Sequence, residues 1–244
     1  MPIARINSGE PTQAGEATVP FRDRKQAGKA LAAALKDLVR EEVVVLAIPR
    51  GGVVVGSEVA ESLGAALDVI ITRKIGAPGE PEYALGAVTQ SGEVILDENA
   101  VDILHVSEEY LDKEAANQWE EVKDRTKRFR GERPFPSLKG KVVVIVDDGI
   151  ATGNTVFAAL RSVKVQGPKS VVVAVPVGPS ETIAKLANEA DKVVCLETPE
   201  PFFAIGQFYA EFPQVEDDEV RRILDGHRAR RAEPDAKRTA STSP

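Results

Sequence analysis

The chain has one cysteine, one tryptophan, one methionine and two histidines in 244 residues. A lone cysteine, Cys195, closes no internal disulfide, so a reducing, cytoplasmic setting is expected, with the thiol packed as a small apolar group. His105 and His227 stand at no metal-ligand spacing from Cys195 or from each other, which argues against a zinc centre. No apolar run approaches the roughly 18 residues that span a bilayer, and residues 1–20 hold no signal-peptide hydrophobic segment. Excess positive charge is missing too. A formal charge of −7 and a pI of about 5.1 disfavour a general nucleic-acid binder, so neither a nucleic acid nor a membrane is expected as a partner. The string G-x-x-x-x-G-K-[ST] is absent, and so is a G-x-S-x-G elbow.

What is present suits one decorated α/β domain: 43% hydrophobic residues, in runs that alternate between strand and helix periodicity. Residues 22–39 carry a helical apolar stripe. Residues 43–48 read as a buried strand, 53–63 as a helix and 67–72 as a second strand, one strand–crossover–strand unit. Residues 73–82, rich in proline and glycine, read as a loop. Residues 85–90 and 93–96 flank Ser91-Gly92 as a hairpin, so a flap is expected over about 73–97. A short helix over 98–104 and a longer one capped by Ser107 and running to about Phe129 follow. Beyond Pro136 the pattern is strand 142–146, helix 154–165, strand 170–175, helix from after Pro179 to about Asn188, and strand 192–196. This predicts a central, mostly parallel sheet with helices on both faces and a small flap or hood. Residues 1–20 are expected to be a flexible lead, 21–225 the domain, and the basic stretch 226–244 a disordered tail.

The chemistry concentrates in VVVIVDDGIATGNT, residues 142–155. Five aliphatic residues without alternation describe a strand covered on both faces, so Asp147 and Asp148 fall at its carboxyl end, the edge where open α/β sheets bind ligands. Gly149 and Gly153 allow a tight turn, and Thr152, Asn154 and Thr155 supply polar groups and a helix start, a natural anion site. The same strand-and-acids pattern also fits a Walker B segment or an aspartyl nucleophile. The first lacks its P-loop here, and the second leaves the Thr-Gly-Asn-Thr turn unexplained.

This stretch resembles the signature of the type I phosphoribosyltransferases, two acids followed by a loop ending in Thr-Gly-x-Thr. FRDRKQAGKALA near the start and FFAIGQFYAEFPQ near the end further resemble a stand-alone prokaryotic-type subgroup of unassigned base specificity. The resemblance implies that Asp147 and Asp148 hold the ribose hydroxyls of phosphoribosyl pyrophosphate. It implies that the loop Gly149, Ile150, Ala151, Thr152, Gly153, Asn154 and Thr155 wraps the 5′-phosphate, and that Arg50, Gly51 and Gly52 receive pyrophosphate. Arg73 and Lys74 would stabilise the leaving group from a mobile lid. Mg²⁺ would be carried mainly by substrate oxygens, with Asp147 and Asp148 as its protein contacts. The expected partners are phosphoribosyl pyrophosphate and an unidentified base, a purine for preference, with a homodimer common in the family. One departure is Gly149, where many members carry an aliphatic residue. Residues 201–213 hold five aromatics, readable as core or interface, or as a base hood in which Phe202, Phe203 or Tyr209 stacks on the acceptor. A non-catalytic sensor of phosphoribosyl pyrophosphate or nucleotides with the same fold is the alternative function.

Overall fold

A computed structural model describes residues 4–5 and 19–240. Its centre is a six-stranded, wholly parallel sheet. In chain order the strands are β1 (Ala4–Arg5), β2 (Val43–Ala47), β3 (Ala66–Val69), β7 (Val142–Val146), β8 (Ser170–Val177) and β9 (Lys192–Glu197), and in space they run β1-β9-β8-β7-β2-β3. Between β3 and β7 the chain builds a separate antiparallel sheet of β4 (Arg73–Ala77), β5 (Glu80–Val88) and β6 (Val94–Leu96). The helices are α1 (Arg24–Ala34), α2 (Gly51–Leu63), α3 (Glu98–Ile103), α4 (Glu108–Arg130), α5 (Asn154–Lys164), α6 (Ser180–Glu189) and α7 (Asp217–Ala240).

The pleat explains the unbroken aliphatic runs. Val43, Val45 and Ala47 of β2 with Val142, Val144 and Val146 of β7 pack under α1, α2 and α7, while Val44, Leu46, Val143 and Ile145 pack under α5 and α6. Both faces of each central strand are therefore buried, as expected of a parallel sheet. Cys195 belongs to the α5–α6 side and is buried there. Among the described residues no helix is long and apolar enough to cross a membrane.

Topology places the ligand edge. From β2 the chain steps outward to β3; from β7, its other neighbour, it steps the opposite way to β8 and β9. The carboxyl ends of β2 and β7 thus form the switch point, a crevice that helices cannot fill. Their register is level, with Ala47 opposite Val146, so Arg50–Gly52 and Asp147–Thr155 emerge side by side.

Two expectations are corrected. Residues 73–82 are not a loop but β4 and the start of β5, with register shifts at Gly76. Glycine there reads as a breaker, yet it is needed for close approach: a Cβ on Gly76 would lie 2.6 Å from the Pro81 carbonyl oxygen, and one on Gly86 2.2 Å from that of Ile95. Within the predicted tail, 226–244, α7 continues to Ala240, and His227 is buried with Nε2 2.8 Å from Ser57 Oγ on α2, while 241–244 lie outside the described residues. Of the predicted flexible lead, residues 4–5 form β1, while 1–3 and 6–18 lie outside the described residues.

The His227 contact gives α7 a pH dependence. Burial, reinforced by Arg230, holds the imidazole below its ordinary 6.5, with Glu61 opposing and Arg231 adding a little. The unfolded state then binds the proton more readily, so stability is greatest above about pH 6.5 and falls as pH drops toward the depressed folded value. Hydrogen exchange should show α7 losing protection between pH 7.5 and about pH 5 while β7 keeps its own, and His227→Gln should flatten that dependence. Equal protection of α7 at both pH values would contradict this.

Candidate active site at the switch point

Each of the two edge loops feeds a helix whose amino terminus lacks a side-chain cap. Arg50 precedes α2 and Gly153 precedes α5, and neither supplies a capping hydrogen bond. Gly153 has φ of +82°, a conformation that favours glycine. Two helix amino termini therefore face the crevice from either side of the acidic pair, each carrying partial positive charge. The Pro49–Arg50 peptide is cis. A cavity of about 400 Å³ brings together Arg50, Gly51, Arg73, Lys74, Asp147 and Asp148 with Thr152, Asn154 and Thr155. A smaller adjoining hollow of about 200 Å³ is formed by the same turn, through Gly149, Ala151 and Gly153.

Not every residue of the predicted loop is available to a ligand. Ile150 is buried and its amide donates to the Val177 carbonyl at 2.9 Å, so it anchors the turn. Gly52 stands behind the acids: a Cβ there would lie 2.9 Å from Asp147 Cα and from Asp147 Oδ1. Gly149 has a packing reason for departing from the family pattern. Its missing Cβ would sit 2.6 Å from Ile205 Cγ2 and 3.0 Å from Val177 Cγ1. Gly149→Val is accordingly expected to cost about 1–3 kcal/mol of stability through overpacking. The double variant with Ile205→Ala should recover part of it in denaturant unfolding; additive losses would show that Ile205 is not the obstacle.

The acids are unequal. Asp148 is buried, its Oδ2 accepts from Arg24 Nε at 2.7 Å, and its carbonyl accepts from the Tyr209 hydroxyl at 2.6 Å. Asp147 is half-buried and its Oδ1 accepts the Asp148 amide at 2.8 Å. Burial first, and then the neighbouring Asp148 charge, push the Asp147 carboxyl well above the ordinary carboxylate range.

Cations line the same cavity. Arg73 donates from Nε to Gln118 Oε1 at 3.1 Å, and Gln118 is steadied by Glu114 at 2.8 Å, so α4 holds the β4 cation in place. Arg125, also on α4, joins the lining; burial and then the nearby Arg73 charge lower its pKa. Arg50 reaches Asp217 and Glu216 only at 3.6 and 3.8 Å. Cations clustered along one cavity are suited to an anion.

The three residues read as a base hood take different places. Tyr209 is 5% exposed and lies behind Asp148, Phe202 packs on Phe208 with centroids 4.9 Å apart, and Phe203 is 82% exposed on the surface. None of the three lines either crevice hollow. Sequence reasoning missed Arg24 and Arg125. Both sit in charged helical stretches, where a cation reads as a solvated face, and only the approach of distant elements turns them inward.

Comparison with known proteins identifies the family. Residues 21–212 match the model of the phosphoribosyl transferase domain. The chain is 47% identical over 205 residues to the Mycobacterium tuberculosis protein provisionally named phosphoribosyl transferase Rv0571c, an alignment covering 84% of this chain and 46% of that protein. The same figures hold for its counterpart MT0597 in a second strain. The chain thus spans about half the length of the curated relatives it matches. The crystal structure of TT1426 from Thermus thermophilus superposes with a TM-score of 0.79 at 48% identity, covering 84% of this chain and 97% of that one. With its signature loop at the switch point and the family domain matched from Phe21 to Phe212, the chain belongs to the phosphoribosyl transferase family.

Proposed function

We propose that the protein moves the 5-phosphoribosyl group from phosphoribosyl pyrophosphate to a ring nitrogen of a nucleobase, releasing pyrophosphate. The observation that carries this reading is one cavity in which an acidic pair lies between two uncapped helix amino termini, with Arg50, Arg73, Lys74 and Arg125 around it. In the reaction the C1–oxygen bond to pyrophosphate breaks and a C1–nitrogen bond forms, while the acceptor nitrogen gives up its proton. Positive charge builds on the ribose and negative charge on the leaving oxygen. The carboxylates of Asp147 and Asp148 suit the first, and the α2 terminus with the four cations suits the second. The turn Ala151–Thr155 and the start of α5 suit the 5′-phosphate.

Among the described residues no cluster of three or more His, Cys, Asp or Glu is placed to hold a metal. The donor set still fits Mg²⁺ arriving with the substrate, since two hard carboxylates can complete a shell made mostly of substrate oxygens and water. When bound, the ion would neutralise pyrophosphate charge; Asp147 is the accessible protein ligand, because Arg24 occupies one oxygen of Asp148.

The test is pyrophosphate release from phosphoribosyl pyrophosphate and Mg²⁺ with a panel of acceptors, purines first, against a no-acceptor control. Release that depends on one acceptor supports a transferase and names its substrate class. Binding without release by any acceptor would favour the sensor reading instead.

A further inference from the structure

Arg24 is 8% exposed and all its contacts are specific. Nε donates to Asp148 Oδ2 at 2.7 Å, Nη1 donates to the Pro213 carbonyl at 2.7 Å, and the guanidinium lies 3.7 Å from the Phe212 ring centroid. Its own position is fixed by the start of α1, where Asp23 caps the helix by accepting the Gln26 amide at 2.7 Å. The aromatic segment completes the grip. Phe212 packs on Tyr209 at 4.9 Å, Tyr209 packs on Phe21 at 5.5 Å, and the Tyr209 hydroxyl holds the Asp148 carbonyl. Main-chain bonds tie the two segments together, Phe21 to Phe208 at 3.1 Å, Ala210 to Phe21 at 2.9 Å and Glu211 to Arg22 at 2.8 Å.

We propose that Arg24 is a positioning residue for ribose recognition: with Phe212 and Tyr209 it fixes Asp148 beside Asp147, so that the two carboxyl groups meet adjacent ribose hydroxyls in a preset arrangement. The inference rests on the transferase reading. Two neighbouring carboxylates repel, and each would turn away or retain a proton unless one charge were compensated. Arg24, which is not among the residues lining the cavity, compensates Asp148 and leaves Asp147 to the ligand. The pattern of donors explains why arginine stands here. Two bonds in diverging directions and a face stacked on a ring suit a planar guanidinium, whereas an ammonium supplies the charge without the fork. The aromatic run, which as sequence suggests a lid over the base, is instead the far jaw of this clamp.

The test uses calorimetric binding of Mg²⁺–phosphoribosyl pyrophosphate and, separately, of pyrophosphate alone. It compares the unsubstituted protein with Arg24→Gln, Arg24→Lys, Phe212→Leu, Asp148→Asn and the Arg24→Gln/Asp148→Asn pair, with thermal unfolding as the check on folding. Arg24→Gln should weaken phosphoribosyl pyrophosphate binding by about 10- to 100-fold, the scale of a misplaced binding group. Arg24→Lys and Phe212→Leu should fall between it and the unsubstituted protein, and they carry the test if Arg24→Gln does not fold. Among folded variants that keep Asp148, pyrophosphate alone should lose less affinity than phosphoribosyl pyrophosphate, since Arg50, Arg73, Lys74 and Arg125 line the cavity and Arg24 does not. The double variant should be no weaker than Asp148→Asn, because both changes break one contact. Unchanged binding of phosphoribosyl pyrophosphate by Arg24→Gln, an equal loss of pyrophosphate binding, or losses that multiply in the double variant would each overturn the role of Arg24. Failure of the unsubstituted protein to bind phosphoribosyl pyrophosphate at all would overturn the transferase reading first, and is distinguished because no variant enters it.

Discussion

Gly51→Ala is expected to abolish useful binding of phosphoribosyl pyrophosphate, with affinity falling by about 100-fold or more. Local propensity points the other way, because alanine in the first turn of a helix is favoured over glycine by about 1 kcal/mol. Geometry decides. The added methyl would lie 1.9 Å from Asp148 Oδ2, 2.6 Å from its Cγ and 2.9 Å from Arg24 Nε. None of these neighbours is a flexible chain end in open space; the carboxylate is buried and held by the guanidinium. Either Asp148 leaves Arg24 or the start of α2 moves off the crevice, and both spoil the site. A matched control is Gly226→Ala in α7, where a Cβ meets nothing within 4 Å and the same exchange should stabilise the protein slightly. Calorimetric binding and thermal unfolding of the two variants check this; intact binding by Gly51→Ala would mean that the acid pair and the α2 terminus are not in contact in solution.

The second large effect is a divergence of function and stability at Asp147. Asp147→Asn should lower kcat/KM by about 100-fold or more through loss of a charge that opposes the developing positive ribose. The same variant should leave the empty protein as stable as before or more so. Burial and Asp148 raise the Asp147 pKa in the folded state, so the unfolded chain gives up this proton first. Raising the pH from about 3.8 through the folded value therefore costs stability, a cost the neutral amide does not carry. The advantage of Asn over Asp should grow across that window and then level off. A thermal midpoint that drops at pH 7 while activity is lost would show instead that Asp147 is a structural carboxylate.

The parts of this protein that could be read from its sequence are those governed by local rules. Five aliphatic residues before Asp147 read as a strand buried on both faces, and the glycines and threonine after it as a turn into a helix, so the strand, the turn and the place of the acid pair at the sheet edge were legible. Arg50-Gly51-Gly52 was legible because it follows a strand of the same kind. The flap was misread where glycine and proline signal a break but instead let β4 and β5 approach closely. Arg24, Arg125 and the true place of Tyr209 were hidden because their roles depend on contacts across many residues, 124 in the case of Arg24 and Asp148. A helix face lined with charge looks solvated until the sheet shows what it meets.

The most direct test of the account is to titrate pyrophosphate into the protein saturated with ribose 5-phosphate, and the reverse, with Mg²⁺ present. Two anion sites built on separate helix amino termini, with the acid pair between them, predict that both ligands bind together and that phosphoribosyl pyrophosphate displaces both. Mutual exclusion of the two fragments, or binding of neither, would contradict the division of the crevice into a 5′-phosphate end and a pyrophosphate end.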